Sequence, residues 1–538
     1  MKNKRSTYIK NILTPCLLFS FITGMITGGL IFLFKIAASA VISLSESIYA
    51  FVRTHPVYLP LLILGAAAIA LLSALILRNS PNCRGGGIPT SIALLRGLIP
   101  FHWLKSVFLL FASAMLTYLG GVPLGNEGPS VQMGTAVGRG TVRIFARNNQ
   151  AWDRYIMTGG ACAGFGAATG APLSGIFFAF EEAHRRFSPM IFMTAAVAVI
   201  AGNSTMELLC ELSGISSSLF GFSINTVLPL KYVWATLIVG LVCALFAAVF
   251  TKFYRVSFKF FKRKLTKIPF ALKLVAVFVS VSLIGFAGAE FLGSGHSLVD
   301  MMLEGHGVWY MLLIYICVRA ILLIVANNAG VTGGLFVPSL AFGAMIGALC
   351  GKAMIALGML PDEYYIIMVV TGMAAFLSAS SRTPITAIVF SVEALSGLSN
   401  ILPIAAGVTF AFLIIETIGI SAFTETVIET KVEDTHDGKT ATVIDTHLTV
   451  RPSSFIVGKE IRDILWPPTC VVLSVQKAPL ASDEHSVGIS ADDILHVHYQ
   501  TYDNTETIGL LEAIVGKQTA DPNTKMHEME KNHLIPDL

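Results

Sequence analysis

Long apolar segments recur along the chain, separated by short polar or glycine-rich breaks. Segments of about 20 apolar residues, the length a helix needs to cross a hydrocarbon layer, begin near Ile12, Tyr58, Leu104, Val233 and Leu272. Others lie near 309–327, 361–378 and 400–420. Between them run shorter apolar pieces broken by Gly and Pro, at 88–98, 127–145, 172–183, 335–350 and 384–395. These read as too short or too interrupted to cross alone. Broken pieces at corresponding places in two halves of a membrane protein point to a binding site.

After Thr430 the pattern changes. Glu433–Lys439 is a polar linker, placed at 432–440. Beyond it lie β-like runs at Ala441–Ile444, Leu448–Val450, Val471–Val475 and Ile494–His498, with helical pieces near Gly458–Leu465 and Thr507–Val515. The spacing predicts a small α/β domain over 441–518, distinct from an all-α membrane part over 1–431. The polar tail, 519–538, is expected to be disordered.

Composition fits this division. Of 538 residues, 54% are hydrophobic and 13% charged, about half the charge of a soluble domain. Mean hydropathy is +0.72, and lipid is the expected solvent. A net charge of +4 is too small at this length to imply nucleic acid. Lys2, Lys4 and Arg5 precede the first apolar run, which is too long for a signal peptide. The N-terminus is therefore expected in the cytoplasm. The eight cysteines form no CxxC pair and no zinc-like spacing with histidine, so they read as small buried apolar residues. No nucleotide loop, metal cluster or nucleophile triad is visible, so neither an enzyme nor a cofactor is expected.

An internal repeat is legible. Gly125-Asn126-Glu127-Gly128-Pro129-Ser130, with Gly134 and Gly138, recurs 209 residues on as Gly334-Leu335-Phe336-Val337-Pro338-Ser339, with Gly343 and Gly347. Thr158-Gly159, Ala171-Pro172 and Glu181 recur as Thr371-Gly372, Thr383-Pro384 and Glu393, at an offset of 212 to 213. The repeats cover roughly 90–210 and 300–425; whether they are parallel or inverted is left open by the residues themselves. A helix starting at Gly125–Pro129 offers free backbone N–H groups and a positive dipole end to an anion. Glu127 is itself an anion there, able to occupy the site or, once protonated, to leave it. A capping role alone is the other reading of this acid, though acids at membrane depth are expensive. Gly333–Pro338 offers the same helix start without the acid, and Gly85–Pro89 is a third loop of this kind.

Taken together, these three loops resemble the signature loops of the CLC family of chloride channels and proton-coupled antiporters, over about 10–431. Ala171–Gly175 leading to Glu181-Glu182, and Ile401-Leu402-Pro403, belong to the same resemblance. It implies two inverted repeats within a subunit and a homodimer with one pore per subunit. It also implies a cell membrane location, and chloride or another small anion and protons as partners. Glu127 matches the external gating glutamate. Gly86, Gly87, Ile88, Leu335 and Phe336 match the loops lining the central anion site, with Thr424 at the inner gate. Glu182, followed by His184-Arg185-Arg186 on the expected cytoplasmic side, matches the internal proton-transfer glutamate of the antiporters. The alternatives for Glu182 are confusion with Glu181 and a surface acid paired with Arg185 or Arg186.

Three positions depart from the family pattern. Gly86 stands where Ser is usual, Asn126 where Arg is usual and Thr424 where Tyr is usual. Such a site would hold anions mainly through backbone N–H groups, which leaves fluoride and nitrate open beside chloride. The expected function is anion/proton exchange. The alternatives are a passive anion channel gated by voltage or pH, and a membrane sensor with a vestigial pore. Leu448–Lys459, Cys470–Val475 and Ala491–Leu495 are similar to TrkA-C modules, which implies a paired cytoplasmic domain, either one that takes a small-molecule regulator or a dimer clamp without a ligand. His496 and His498 alternate on one strand face, where a metal is not expected.

Overall fold

The computed structural model describes residues 14–145, 150–217, 219–222, 224, 226–395, 398–436, 441–467, 469–478, 488–518 and 524–528. The basic residues 2–5 and positions 437–440 of the expected linker lie outside them.

The membrane part is helical throughout. Its helices are α1 (Thr14–Thr54), α2 (Leu59–Leu77), α3 (Gly87–Leu95), α4 (Trp103–Leu119), α5 (Glu127–Phe145), α6 (Asp153–Thr169), α7 (Pro172–Phe178), α8 (Pro189–Ser213) and α9 (Val233–Lys264). There follow α10 (Phe270–Ala287), α11 (His296–Leu303), α12 (Trp309–Ala329), α13 (Phe336–Ala356), α14 (Tyr365–Ser381), α15 (Pro384–Glu393), α16 (Ile401–Ile418) and α17 (Phe423–Thr435). Among the described residues, nine helical stretches are long and apolar enough to cross a membrane. Pro172, Pro189 and Pro384 begin helices, where a missing N–H costs nothing, and glycines with left-handed backbones end α6, α8, α12 and α16.

Three expectations need correction. The piece at 335–350 is not broken: α13 is one 21-residue helix of crossing length. Its glycines face neighbouring helices and do not interrupt the hydrogen-bond ladder. Two helices, α6 and α8, escaped the hydropathy reading. The first is rich in Gly and Ala, and the second carries Asn203, Thr205 and Glu207. The linker also begins later than expected, because α17 runs to Thr435 and His436 stacks on Tyr502 at 4.1 Å.

The repeat is visible as geometry. A Cβ on Gly134 would lie 2.1 Å from the Gly160 carbonyl oxygen, and one on Gly343 would lie 2.3 Å from that of Gly372. Close backbone approach through small residues therefore holds α5 to α6 and α13 to α14 in the same way. Gly125 and Gly334, which are repeat mates, exchange N–H···O bonds of 2.8 and 2.7 Å as an antiparallel bridge. A two-fold axis passing between the halves produces such an exchange.

The same symmetry sets a pair of helix caps. Glu181 accepts from the N–H groups of Ile385 (2.9 Å) and Thr386 (2.6 Å) and from the Thr386 hydroxyl (2.7 Å) at the start of α15. Its mate Glu393 accepts from Leu173 (2.7 Å), Ser174 (2.8 Å) and the Ser174 hydroxyl (2.8 Å) at the start of α7. Carboxylates at helix N-termini satisfy orphan donors and oppose the dipole. Glu181→Ala is expected to cost about 1–2 kcal/mol, read as a lower melting temperature of the purified protein. An unchanged melt would reject the cap.

The C-terminal unit is a four-stranded antiparallel sheet of β1 (Thr442–Thr449), β2 (Val471–Gln476), β3 (Ile494–Thr501) and β4 (Lys525–Glu528), in the order β2-β3-β1-β4. It carries α18 (Asn504–Val515). The two runs expected at 441–450 form one strand. The helix expected near 458–465 is replaced by turns, with a single 3-10 turn at Ile461–Asp463. The tail is not wholly irregular, since β4 finds free edge groups on β1.

This unit docks on the membrane part. Arg154 Nη1 donates to the carbonyls of Leu465 (3.1 Å) and Trp466, Arg186 to that of Ile464 (2.9 Å), and Tyr155 Oη to that of Asp463 (2.7 Å). Lys459 is buried at the seam, its ammonium without a hydrogen-bond partner, against the Phe455 ring and 5.6 Å from the Trp152 ring. Burial pushes that ammonium down to about 6, against weaker opposite pulls from Cys16 and Asp463. The unfolded lysine binds its proton below about 10.4, and the folded one only below about 6. Stability therefore falls as pH drops between these values. Lys459→Met is expected to raise the melting temperature by several degrees at pH 7 and to lose that advantage by pH 10. An identical difference at both pH values would reject this account.

Candidate functional site

Three helices start at one point. Pro89, Pro129 and Pro338 sit in the first turns of α3, α5 and α13. The first bonds returning along each chain run from Thr90 to Gly86, Ser130 to Asn126 and Ser339 to Leu335. The N–H groups of Ile88, Gly128, Phe336 and Val337 are left without a helical acceptor. Backbone contact brings the three starts together. A Cβ on Gly87 would lie 2.0 Å from the Gly128 carbonyl carbon, and one on Gly128 would lie 2.6 Å from Gly334 Cα. Three positive dipole ends thus meet where side chains are excluded, which is an anion-binding arrangement.

Glu127 enters this point. It is wholly buried, no other side chain bonds its carboxylate, and the backbone N–H groups of Glu127 itself and of Val337 are directed at it. The side chain curls back, so that Oε2 lies 2.4 Å from where a Cβ on Gly125 would sit, a position that faces Pro338 of α13 as well. A carboxylate here stands in for a bound anion among the same helix starts.

On the other side of α7 the chain passes through a π turn, Ala179–Ala183. The wider turn separates two adjacent acids that sequence alone could confuse. Glu181 turns outward to cap α15, whereas Glu182 is buried and accepts the Thr424 hydroxyl at 2.9 Å. Arg185 does not pair with Glu182; it pairs with Glu425 at 3.2 Å, beside Arg96 at 2.9 Å. Arg96 also holds the carbonyls of Glu182 (3.3 Å) and Ala183 (3.1 Å). His184 meets Thr158 at 2.7 Å.

Two of the expected anion-binding residues are otherwise engaged. The Gly87 N–H donates to the Gly333 carbonyl at 3.3 Å, and its missing Cβ lets the starts of α3 and α5 touch. The Thr424 hydroxyl donates to Glu182 at 2.9 Å. Ile88 and Phe336 keep open N–H groups. Leu335 precedes α13, and its Cδ1 lies 3.1 Å from a Cβ built on Gly86. Phe336 packs edge-on against Phe165 (5.1 Å) and Phe390 (5.2 Å). Among the described residues no group of three or more His, Cys, Asp and Glu could hold a metal. His498 bonds Asp445 at 2.8 Å, and His496 stacks on His447 at 4.6 Å.

Comparison with known proteins matches this arrangement. The family described as "Voltage gated chloride channel" matches residues 66–416. A structure described as a slow cyanobacterial Cl-/H+ antiporter superposes with a TM-score of 0.72 at 22% identity, covering 78% of this chain and 98% of its own. A eukaryotic CLC transporter gives 0.64 at 19% identity, covering 78% of this chain and 74% of its own. A CLC-type fluoride/proton antiporter gives 0.62 at 19%, covering 75% and 96%. The fold is thus the mostly helical CLC fold with a small C-terminal sheet added, and the multi-pass chain belongs to the voltage-gated chloride channel family, the CLC proteins.

Proposed function

We propose that this protein exchanges small anions, chloride foremost, for protons across the cell membrane, and that it is a transporter and not an enzyme. The observation that carries the reading is Glu127, a buried carboxylate with no side-chain partner, faced by backbone N–H groups at the meeting point of three helix starts. Charged, it competes with an anion for the same N–H groups; protonated, it yields the place. Glu182 supplies a second buried acid at the far end of the core, held by Thr424. Two of the structural neighbours are described as antiporters, one for chloride and one for fluoride.

The working unit is a homodimer. The N-terminus and the C-terminal domain face the cytoplasm, and that domain is a TrkA-C-like module that takes a small regulator. The experiment is reconstitution of the purified protein in liposomes under an outward chloride gradient. Uphill proton movement supports exchange, and anion flux without it favours a passive channel. A parallel series with nitrate and fluoride ranks the ions.

A further inference from the structure

We propose that the side-chain amide of Asn327 is a donor to the anion at this site, standing in for the side chain that Gly86 lacks. The assignment rests on the transport reading above.

Asn327 lies in the last turn of α12 and is 6% exposed. Its Oδ1 accepts the Tyr254 hydroxyl at 2.9 Å, which leaves Nδ2 facing the other way. Tyr254 is itself buried, edge-on to Phe423 at 5.0 Å, so the amide is held in one orientation. Nδ2 has no hydrogen-bond partner. It lies 3.0 Å from where a Cβ on Gly86 would sit and 4.0 Å from that on Gly85. Gly86 is the residue from which α3 starts. An unfilled buried donor costs free energy, and this one points at a helix start that converges with two others.

The end of α12 does not spoil the site for a negative ion. Two of its last four carbonyls, of Ala326 and Asn327, are taken by the N–H groups of Val331 and Gly330, each at 3.0 Å. The chemistry also sorts ligands. An amide N–H₂ donates and cannot accept, unlike a hydroxyl. Halides and nitrate, which only accept, are matched by the amide and backbone N–H groups. A species carrying its own proton finds no acceptor there.

The test is chloride titration of the purified protein by calorimetry. Asn327→Ala is expected to weaken chloride binding about tenfold, the loss of one hydrogen bond to a charged group. Tyr254→Phe, which keeps the amide but frees its orientation, is expected to weaken it by a smaller factor. Gly86→Ser added to Asn327→Ala is expected to recover binding. Residue 86 has φ −67°, which serine adopts freely; the missing amide removes one close neighbour, and the Leu335 side chain, 3.1 Å from the new Cβ, has to give by a few tenths of an ångström. Wild-type affinity in Asn327→Ala, or no recovery in a folded double variant, overturns the assignment alone. If Asn327→Ala does not purify as a folded species, unchanged affinity in Tyr254→Phe overturns it. No binding of chloride, nitrate or fluoride by the unmodified protein overturns the transport reading, and this assignment with it.

Discussion

Glu127→Gln protein in liposomes is expected to pass anions while moving no protons above the level of empty vesicles. Glutamine keeps the size of the side chain and removes its charge and its titration. The wild-type carboxylate is buried with no side-chain partner, so its charged form is held there only by backbone N–H groups at the helix starts, those of Glu127 and Val337 among them. A neutral amide has a much weaker claim on positive dipole ends. The anion then occupies the point unopposed, and no group remains there to take up a proton in turn. Proton uptake driven by an imposed chloride gradient, followed with a pH-sensitive dye, is the measurement. Coupling equal to that of the unmodified protein would remove Glu127 from the proton path.

The largest effect on folding is expected at Gly87→Ala. The added methyl would fall 2.0, 2.2 and 2.6 Å from the carbonyl carbon, oxygen and Cα of Gly128. All three are backbone atoms, so no side chain can swing aside, and two helix starts must part. Overpacking commonly costs 1–3 kcal/mol, and an obstruction made of backbone lies at or beyond the top of that range, about 3 kcal/mol or more. The expected outcome is a protein that aggregates or melts far below wild type in size-exclusion thermal assays. Gly29→Ala and Gly65→Ala meet nothing within 4 Å and serve as controls. A Gly87→Ala protein that melts with them would contradict the packing described.

The three helix starts were legible in the chain because each is written locally, as glycines followed by a proline at a fixed step. The repeat was legible for the same reason, since Gly125 and Gly334 or Glu181 and Glu393 sit at nearly constant offsets. What distance in the chain concealed was how those mates meet. Nothing in the sequence says that Glu181 caps the helix beginning at Pro384, because the partners are some 200 residues apart. Hydropathy failed on α6 and α8 because their inner faces are small or polar and are covered by neighbours instead of lipid. The contact of Thr424 with Glu182 was not legible either, because counting aligned Thr424 with the anion and says nothing of an acid 242 residues away. Asn327 carried no signal at all: one amide near the end of an apolar helix looks like any other.

The two caps at Glu181 and Glu393 have a consequence for how the chain must be made. Each half carries an acid whose donors belong to the other half, and a helix start whose acceptor does too. The contact has the form of an isologous interface enclosed within one polypeptide. Neither half can close its own hydrogen-bond account during synthesis. The first half, once inserted, must wait with α7 uncapped until Glu393 arrives. A pause in translation before that residue prolongs the time for which the Leu173 and Ser174 N–H groups lack the acceptor that the finished fold gives them.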